Sequence, residues 1–428
     1  MSVTQTTPVE HRERILALYR RHVNAGQARL ASLMNLPIER SAQGAKVWDH
    51  GGQDYLDAGG YGVFLLGHGH PTVIKAVTEQ LQRLALSTRL LVNGEQACAA
   101  AELAAHCPGN LQYVFFCNSG AEATEAALKL AQLNGCQTFV SMSGGYHGKT
   151  LGALAMTGRE LYTQPFAARL GTTHFIPFDD AEALEATLAQ ATGRALVILE
   201  PIQAEGGVLI PNTGYLRQVR EACDRHAALL IFDEIQCGMG RTGTWWACDR
   251  EGVVPDMLLI GKGLSGGCVP VGAMVTTEAI YQPFNQHPFI HSSTFAGNPL
   301  AMAAVRATLQ AMDDEAIVAQ VSSLGEQLAE GLRHAIVRRQ LESRVTLRAA
   351  GLLLGIACHD AADAGRLAMA MLERHVIVCH SMNDHRVVRL TPPATLTARQ
   401  VADLIRVFDE ALLAIFGEPL PDTHGEPS

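Results

Sequence analysis

Leu258-Leu259-Ile260-Gly261-Lys262-Gly263-Leu264-Ser265-Gly266-Gly267 sets one lysine in a glycine frame at the end of a short apolar run. Three apolar residues bounded by glycine read as a buried strand, and the glycines let backbone or a flat ligand come close. An amine desolvated at such a strand end loses part of its preference for the charged form, and a neutral amine attacks a carbonyl carbon. An isolated Gly-Lys-Gly is ordinarily a loop lysine facing water. A second site upstream changes that reading: Ala228-Leu229-Leu230-Ile231-Phe232-Asp233 is another apolar run, and it closes in Asp233-Glu234-Ile235-Gln236. A carboxylate at the carboxyl end of a buried strand stands where open parallel sheets bind ligands. A lysine that condenses with an aldehyde and an aspartate that keeps a pyridine nitrogen protonated together point to pyridoxal phosphate.

The 428 residues provide for a large domain with a smaller companion, and 48% hydrophobic against 18% charged residues describes a globular chain with a sizeable core. A formal charge of −9 and a pI near 6.0 leave no electrostatic footprint for nucleic acid. Ten cysteines are scattered without a CxxC pair, which reads as reduced and structural. Met1 to Glu10 lacks the features of a signal peptide, and no apolar run reaches the roughly 18 residues of a membrane span, so no membrane partner and a cytoplasmic location are expected.

Glu10 to Leu36 reads as an amphipathic arm, and Val47-Trp48-Asp49 with Tyr55-Leu56-Asp57 as a hairpin around Gly51-Gly52. His50, His68 and His70 lack a Cys or carboxylate partner at ligand spacing, so no metal site is expected. Tyr113 to Cys117 is a strand delivered into Asn118-Ser119-Gly120-Ala121-Glu122 and a helix to about Leu133. Ser119 with Glu122 reads as a capping box, and the free amides of that first turn as a phosphate cradle. Ser143 to Thr150 nearly spells a P-loop but has Ser143 where the first glycine belongs, which sets an ATPase reading aside; Tyr146 is better used as a flat ring against a flat cofactor. Ala195 to Glu200 is a further apolar strand closing on a carboxylate, and Val271 to Thr276 another. Strands alternating with helices argue for an α/β fold with a mostly parallel sheet covered on both faces. The helix from about Leu300 to Met312, broken by Asp313-Asp314, marks a boundary. Beyond it come a helix over Ile317 to Arg338, strands over Leu352 to Ala357, Val376 to Cys379 and Val387 to Leu390, and a closing helix over Ala398 to Phe416. The expected division is an arm over 1–58, a large domain over 59–312 and a small α+β domain over 313–428, with a loose tail after Gly417.

Ser119-Gly120-Ala121, Tyr146-His147-Gly148, Glu200-Pro201, Asp233-Glu234-Ile235-Gln236, Lys262 and Thr294-Phe295-Ala296-Gly297-Asn298-Pro299, in this order, resemble the class III aminotransferases, fold type I pyridoxal phosphate enzymes, from about Trp48 to the last helix. The wording of Phe115 to Ala131, Gly145 to Gly158 and Asp233 to Gly243 is most similar to putrescine aminotransferases within the ornithine, acetylornithine and ω-amine branch. The resemblance implies a seven-stranded sheet sandwiched by helices. In that frame Lys262 holds the coenzyme and moves the proton, Asp233 faces the pyridine nitrogen, Gln236 the phenolic oxygen and Tyr146 the ring. Ser119, Gly120 and Ala121 would hold the phosphate, and His147, Glu200 and Ser293 complete the cofactor set. Thr294 would reach the phosphate of a neighbouring subunit, implying a homodimer or a dimer of dimers. Arg389 would pair with a substrate carboxylate, with Glu205 masking it when the amine carries none. Lys149 stands where ornithine-type members carry an arginine for the distal carboxylate, and Ala204 replaces a glycine before Glu205. The implied reaction moves an amino group from a terminal amine or diamine to 2-oxoglutarate. An ornithine or acetylornithine donor, a specialised natural-product aminotransferase, and an aminomutase or decarboxylase on the same frame remain as alternatives.

Overall fold

The computed structural model describes residues 7–417; the tail after Gly417 and the first six residues lie outside them. Its centre is a seven-stranded sheet, in chain order β1 (Tyr113–Cys117), β2 (Cys136–Met142), β3 (His174–Ile176), β4 (Arg194–Leu199), β5 (Leu229–Asp233), β6 (Met257–Ile260) and β7 (Gly272–Thr276). Across the sheet they lie in the order β1-β7-β6-β5-β4-β2-β3. β7 is antiparallel to both neighbours and the other six share one direction. Central parallel strands covered on both faces carry apolar side chains at successive positions. Accordingly, every residue of β5 and β6 is buried. The covering helices each bury one stripe: in Tyr215–Arg225 the buried side chains are Tyr215, Leu216, Val219, Ala222 and Cys223, the three- and four-residue spacing of one face.

A second sheet is built from Glu39–Gln43, Lys46–Asp49 and Asp54–Asp57, and Val376–Ile377 completes it in parallel with the last of these. The third pairs Val345–Ala350, Leu353–Cys358, Val387–Leu390 and Cys379–His380, all antiparallel. Helices Ile317–Arg338 and Ala361–Glu373 pack on it, and Ala398–Phe416 packs against both of those helices.

The N-terminal arm is two helices, Pro8–His22 and Ala25–Leu33, because Asn24 stops the first and caps the second by accepting from Gln27 N at 3.0 Å. Two local expectations are corrected. Helix Pro299–Asp314 runs through Asp313-Asp314, and the chain turns into the next helix at Ala316, which takes a φ of 49°; His106 Nε2, 3.0 Å from Asp313, holds one of the two carboxylates there. Ser119 Oγ accepts from Glu122 N at 3.2 Å, but Glu122 returns its carboxylate to the Asn118 N–H and side-chain amide, both at 2.9 Å, so the box is shifted by one residue.

His68 bonds Asp57 at 2.7 Å, His70 bonds Glu315 at 2.9 Å, and His50 lies edge to face with His11. Among the described residues no three metal-binding side chains gather, and no helix is long and apolar enough to cross a membrane. All ten cysteine thiols are free.

Candidate active site

Five of the parallel strands end along one edge of the large sheet, and the chain places a polar residue at or just past each end: Ser119 after β1, Tyr146 and His147 after β2, Glu200 after β4, Asp233 on β5 and Lys262 after β6. That edge is where open α/β sheets bind ligands. A cavity of about 510 Å³ lies there, lined by Lys262, Asp233, Gln236, Tyr146, His147, Lys149, Glu200 and Glu205 together with Gly120 and Ala121.

Successive strand residues point to opposite sides, and this separates the two adjoining acids. Asp233, 2% exposed, faces the cavity; its Oδ2 lies 2.7 Å from His147 Nδ1 and its Oδ1 accepts from Ile235 N at 3.1 Å. His147 is fixed in turn by Thr157, whose hydroxyl accepts from His147 N at 3.0 Å. Glu234 points away and accepts from Ala247 N at 3.0 Å, Cys248 N at 2.9 Å and the Cys237 thiol at 3.1 Å. Burial pushes its pKa up to about 7 in spite of those donors. Glu234→Ala should therefore leave two buried amides unpaired and lower unfolding free energy by about 2–4 kcal/mol in a urea titration; a loss below about 0.5 kcal/mol would contradict the structural role.

Lys262 follows an extended glycine, Gly261, and adopts a φ of 45°, in the left-handed region that lysine rarely enters. Such strain persists where surrounding packing imposes it, and it commonly marks functional sites. Burial holds the amine below the ordinary lysine range; Glu205 pulls the other way, Arg389 adds to the lowering, and Asp233 and Glu200 oppose it. The neutral form is thereby made accessible nearer to neutral pH.

Gln236 has both amide atoms buried and without a partner, and a Cβ at Gly62 would stand 2.3 Å from its Nε2. At Gly148, with φ at 126°, a Cβ would stand 2.8 Å from that of Ala121. Two bare glycines therefore keep open both the amide's side and the first turn of helix Gly120–Leu133, whose N-terminus favours an anion. Glu200 ties the frame together, accepting from Tyr146 N at 2.9 Å and Ala204 N at 3.2 Å; burial pushes its pKa up to about 7, opposed first by His147.

Arg389 enters from strand Val387–Leu390 and is completely buried. Its Nη1 is ion-paired with Glu205 Oε1 at 2.6 Å, while its buried Nε and Nη2 have no hydrogen-bond partner. Burial alone would raise the Glu205 pKa; Arg389, then Lys262 and the Met382 N–H, outweigh it and hold the carboxyl below its usual range. Lys149 is exposed at the rim, its Nζ 4.3 Å above the Tyr162 ring and 5.8 Å from that of Tyr146.

Ser293 and Thr294 are not brought to this cavity within one chain. They line a separate cavity of about 440 Å³ with Leu90, Leu91 and Val92, and Ser293 Oγ accepts from Asn118 Nδ2 at 2.9 Å. The sequence reading also passed over Ile235, which lines the active cavity and would touch a Cβ at Gly120 at 2.6 Å, and Thr157, which fixes His147. Ile235 had a readable signal, its position two residues past a strand-ending acid. Thr157 had none.

An unpaired amide, a helix N-terminus, an aspartate backed by histidine and a buried amine form a donor set that fits the ring oxygen, phosphate, ring nitrogen and aldehyde of pyridoxal 5'-phosphate. The chain belongs to the class III aminotransferases, whose family model matches residues 27–412. It is a pyridoxal 5'-phosphate-dependent aminotransferase of fold type I. It is similar to the ornithine aminotransferase of Toxoplasma gondii, at 30% identity over 96% of this chain and 99% of that one with a TM-score of 0.84; that structure shows partial occupancy of pyridoxal phosphate. The acetylornithine aminotransferase of Elizabethkingia anophelis matches at 29% identity over 94% and 99% with a TM-score of 0.77. An omega transaminase engineered for synthesis of bulky amines matches at 25% over 91% and 95%, with a TM-score of 0.83.

Proposed function

We propose that this enzyme transfers an amino group from a terminal amine or diamine, putrescine-like, to 2-oxoglutarate, yielding an aldehyde and glutamate. The observation that carries the reading is the sealed pair of Arg389 and Glu205. A guanidinium buried with Nε and Nη2 unpaired is costly, and a planar substrate carboxylate would fill its fork bidentately. With Glu205 in place, the same pocket is neutral toward an amine that carries no carboxylate. Lys149 supplies a point charge to the distal carboxylate, less directional than an arginine fork.

Bound pyridoxal 5'-phosphate supplies a protonated ring that accepts the electron pair left when the substrate carbon loses its proton. Lys262 Nζ, in its neutral form, would take that proton and return it. Asp233, fixed by His147 and the Ile235 amide, would keep the ring nitrogen protonated. Gln236 would donate to the ring oxygen, Tyr146 would lie against the ring, and Ser119, Gly120 and Ala121 would hold the phosphate. The active unit in this proposal is a homodimer. Leu90, Leu91, Val92 and Phe289 are at least 76% exposed, and a second copy would cover them and carry Thr294 to the phosphate.

A second reading, with ornithine or acetylornithine as donor, is favoured by the likeness to those two enzymes. Such donors bring a carboxylate to Arg389 in one or both halves of the cycle. A scan of putrescine, ornithine and acetylornithine with 2-oxoglutarate, scored by glutamate formed, separates the readings. Arg389→Lys keeps the charge opposite Glu205 and removes the fork. It should cut kcat/KM for 2-oxoglutarate roughly 10- to 100-fold while changing the diamine half less than about threefold. Equal losses in both halves would refute the assigned role.

A further inference from the structure

The Glu205 carboxylate has two holders. Arg389 takes Oε1, and the backbone N–H of Met382 donates to Oε2 at 2.9 Å. Met382 belongs to a loop leading into the Arg389 strand, and that loop folds back on the segment carrying Glu205. Asn383 N donates to Glu205 O at 3.0 Å, and Ser381 Oγ to Ala204 O at 3.3 Å. The loop is also fastened to the segments that follow β2. Tyr162 OH donates to Met382 O at 3.1 Å, Arg159 Nη1 donates to Asn383 O, and Asn383 Nδ2 donates to Gly144 O at 2.8 Å. Arg159, Tyr162 and Asn383 are not among the residues lining the cavity.

We infer that Tyr162, with Arg159 and Asn383, positions the Met382 N–H against Glu205 and thereby sets how readily the carboxylate leaves Arg389; this rests on reading that pair as the substrate switch. Opening requires Glu205 to give up both the guanidinium and the amide. A free loop would let the amide follow the departing carboxylate, whereas a loop pinned at both Met382 O and Asn383 O makes it stay behind, so each pin stabilises the closed form. Tyr162 is also the ring beneath the Lys149 ammonium, at 4.3 Å. A cation over a phenol face strengthens the hydroxyl as a donor. A dicarboxylic acid that draws Lys149 away with its far end therefore weakens the same pin that its near end must overcome.

The test compares the holoenzyme with Tyr162→Phe, Arg159→Met and Glu205→Gln. Phenylalanine keeps the ring under Lys149 and removes only the hydroxyl. Two quantities are read: the ratio of kcat/KM for 2-oxoglutarate to that for a straight-chain monoamine, and the Kd of glutarate by calorimetry, which needs no turnover. Tyr162→Phe should raise the ratio about fivefold, the weight of one neutral hydrogen bond, and tighten glutarate by a similar factor with an unchanged melting temperature. Arg159→Met should act in the same direction, and Glu205→Gln should raise the ratio further. If Glu205→Gln moves the ratio while both loop variants stay at the wild-type value, the positioning role is overturned and the switch stands. If Glu205→Gln leaves the ratio unmoved, the switch reading falls and takes this inference with it.

Discussion

Lys262→Ala should slow turnover at least ~10⁴-fold, because it removes both the proposed covalent anchor for the coenzyme and the proposed base for the substrate proton. The fold should survive: the lost side chain lines a cavity, and a buried amine is no longer desolvated. The variant therefore melts within a few degrees of wild type while failing to retain coenzyme covalently. Borohydride reduction followed by peptide mapping reads this directly. Wild type should carry the label on the peptide containing position 262 and the variant none. A label elsewhere, or turnover within tenfold of wild type, would remove the basis of the proposed chemistry.

Asp233→Asn is the second large effect. Asparagine preserves shape and can still accept from the Ile235 N–H, so what changes is the charge proposed to keep a proton on the ring nitrogen. Removing one preorganised electrostatic partner in a water-poor site costs roughly 10²–10³-fold in kcat. Coenzyme should remain bound through Lys262 and the phosphate cradle, so the variant should be coloured but slow. Full activity with bound coenzyme would contradict the role given to Asp233.

Much of this was readable in the residues because of how parallel sheets bury themselves. β5 and β6 are apolar on both faces, so each appears as an unbroken run, and the first polar residue after the run is delivered to the functional edge. Lys262 and Asp233 were found that way. β3 and Val345–Ala350 were not, since His174 and Phe175 are exposed and Arg348 interrupts the second strand. The reversed direction of β7 leaves no mark on composition, because an antiparallel strand buried on both faces looks like a parallel one. The clamp on Glu205 was invisible for another reason: Met382 acts through its backbone amide, and Tyr162 stands 220 positions away in the chain. The place of Thr294 is illegible within one chain, because its proposed target belongs to another copy.

Val376–Ile377 completes the sheet begun by the amino-terminal hairpin. During synthesis that hairpin waits, one strand short, until Val376 and Ile377 have been made. Its open edge at Leu56 and Asp57 is an invitation to pairing with other nascent chains over that interval. Slowed translation past the large sheet should prolong the exposure and raise the fraction of newly made chains that require chaperones.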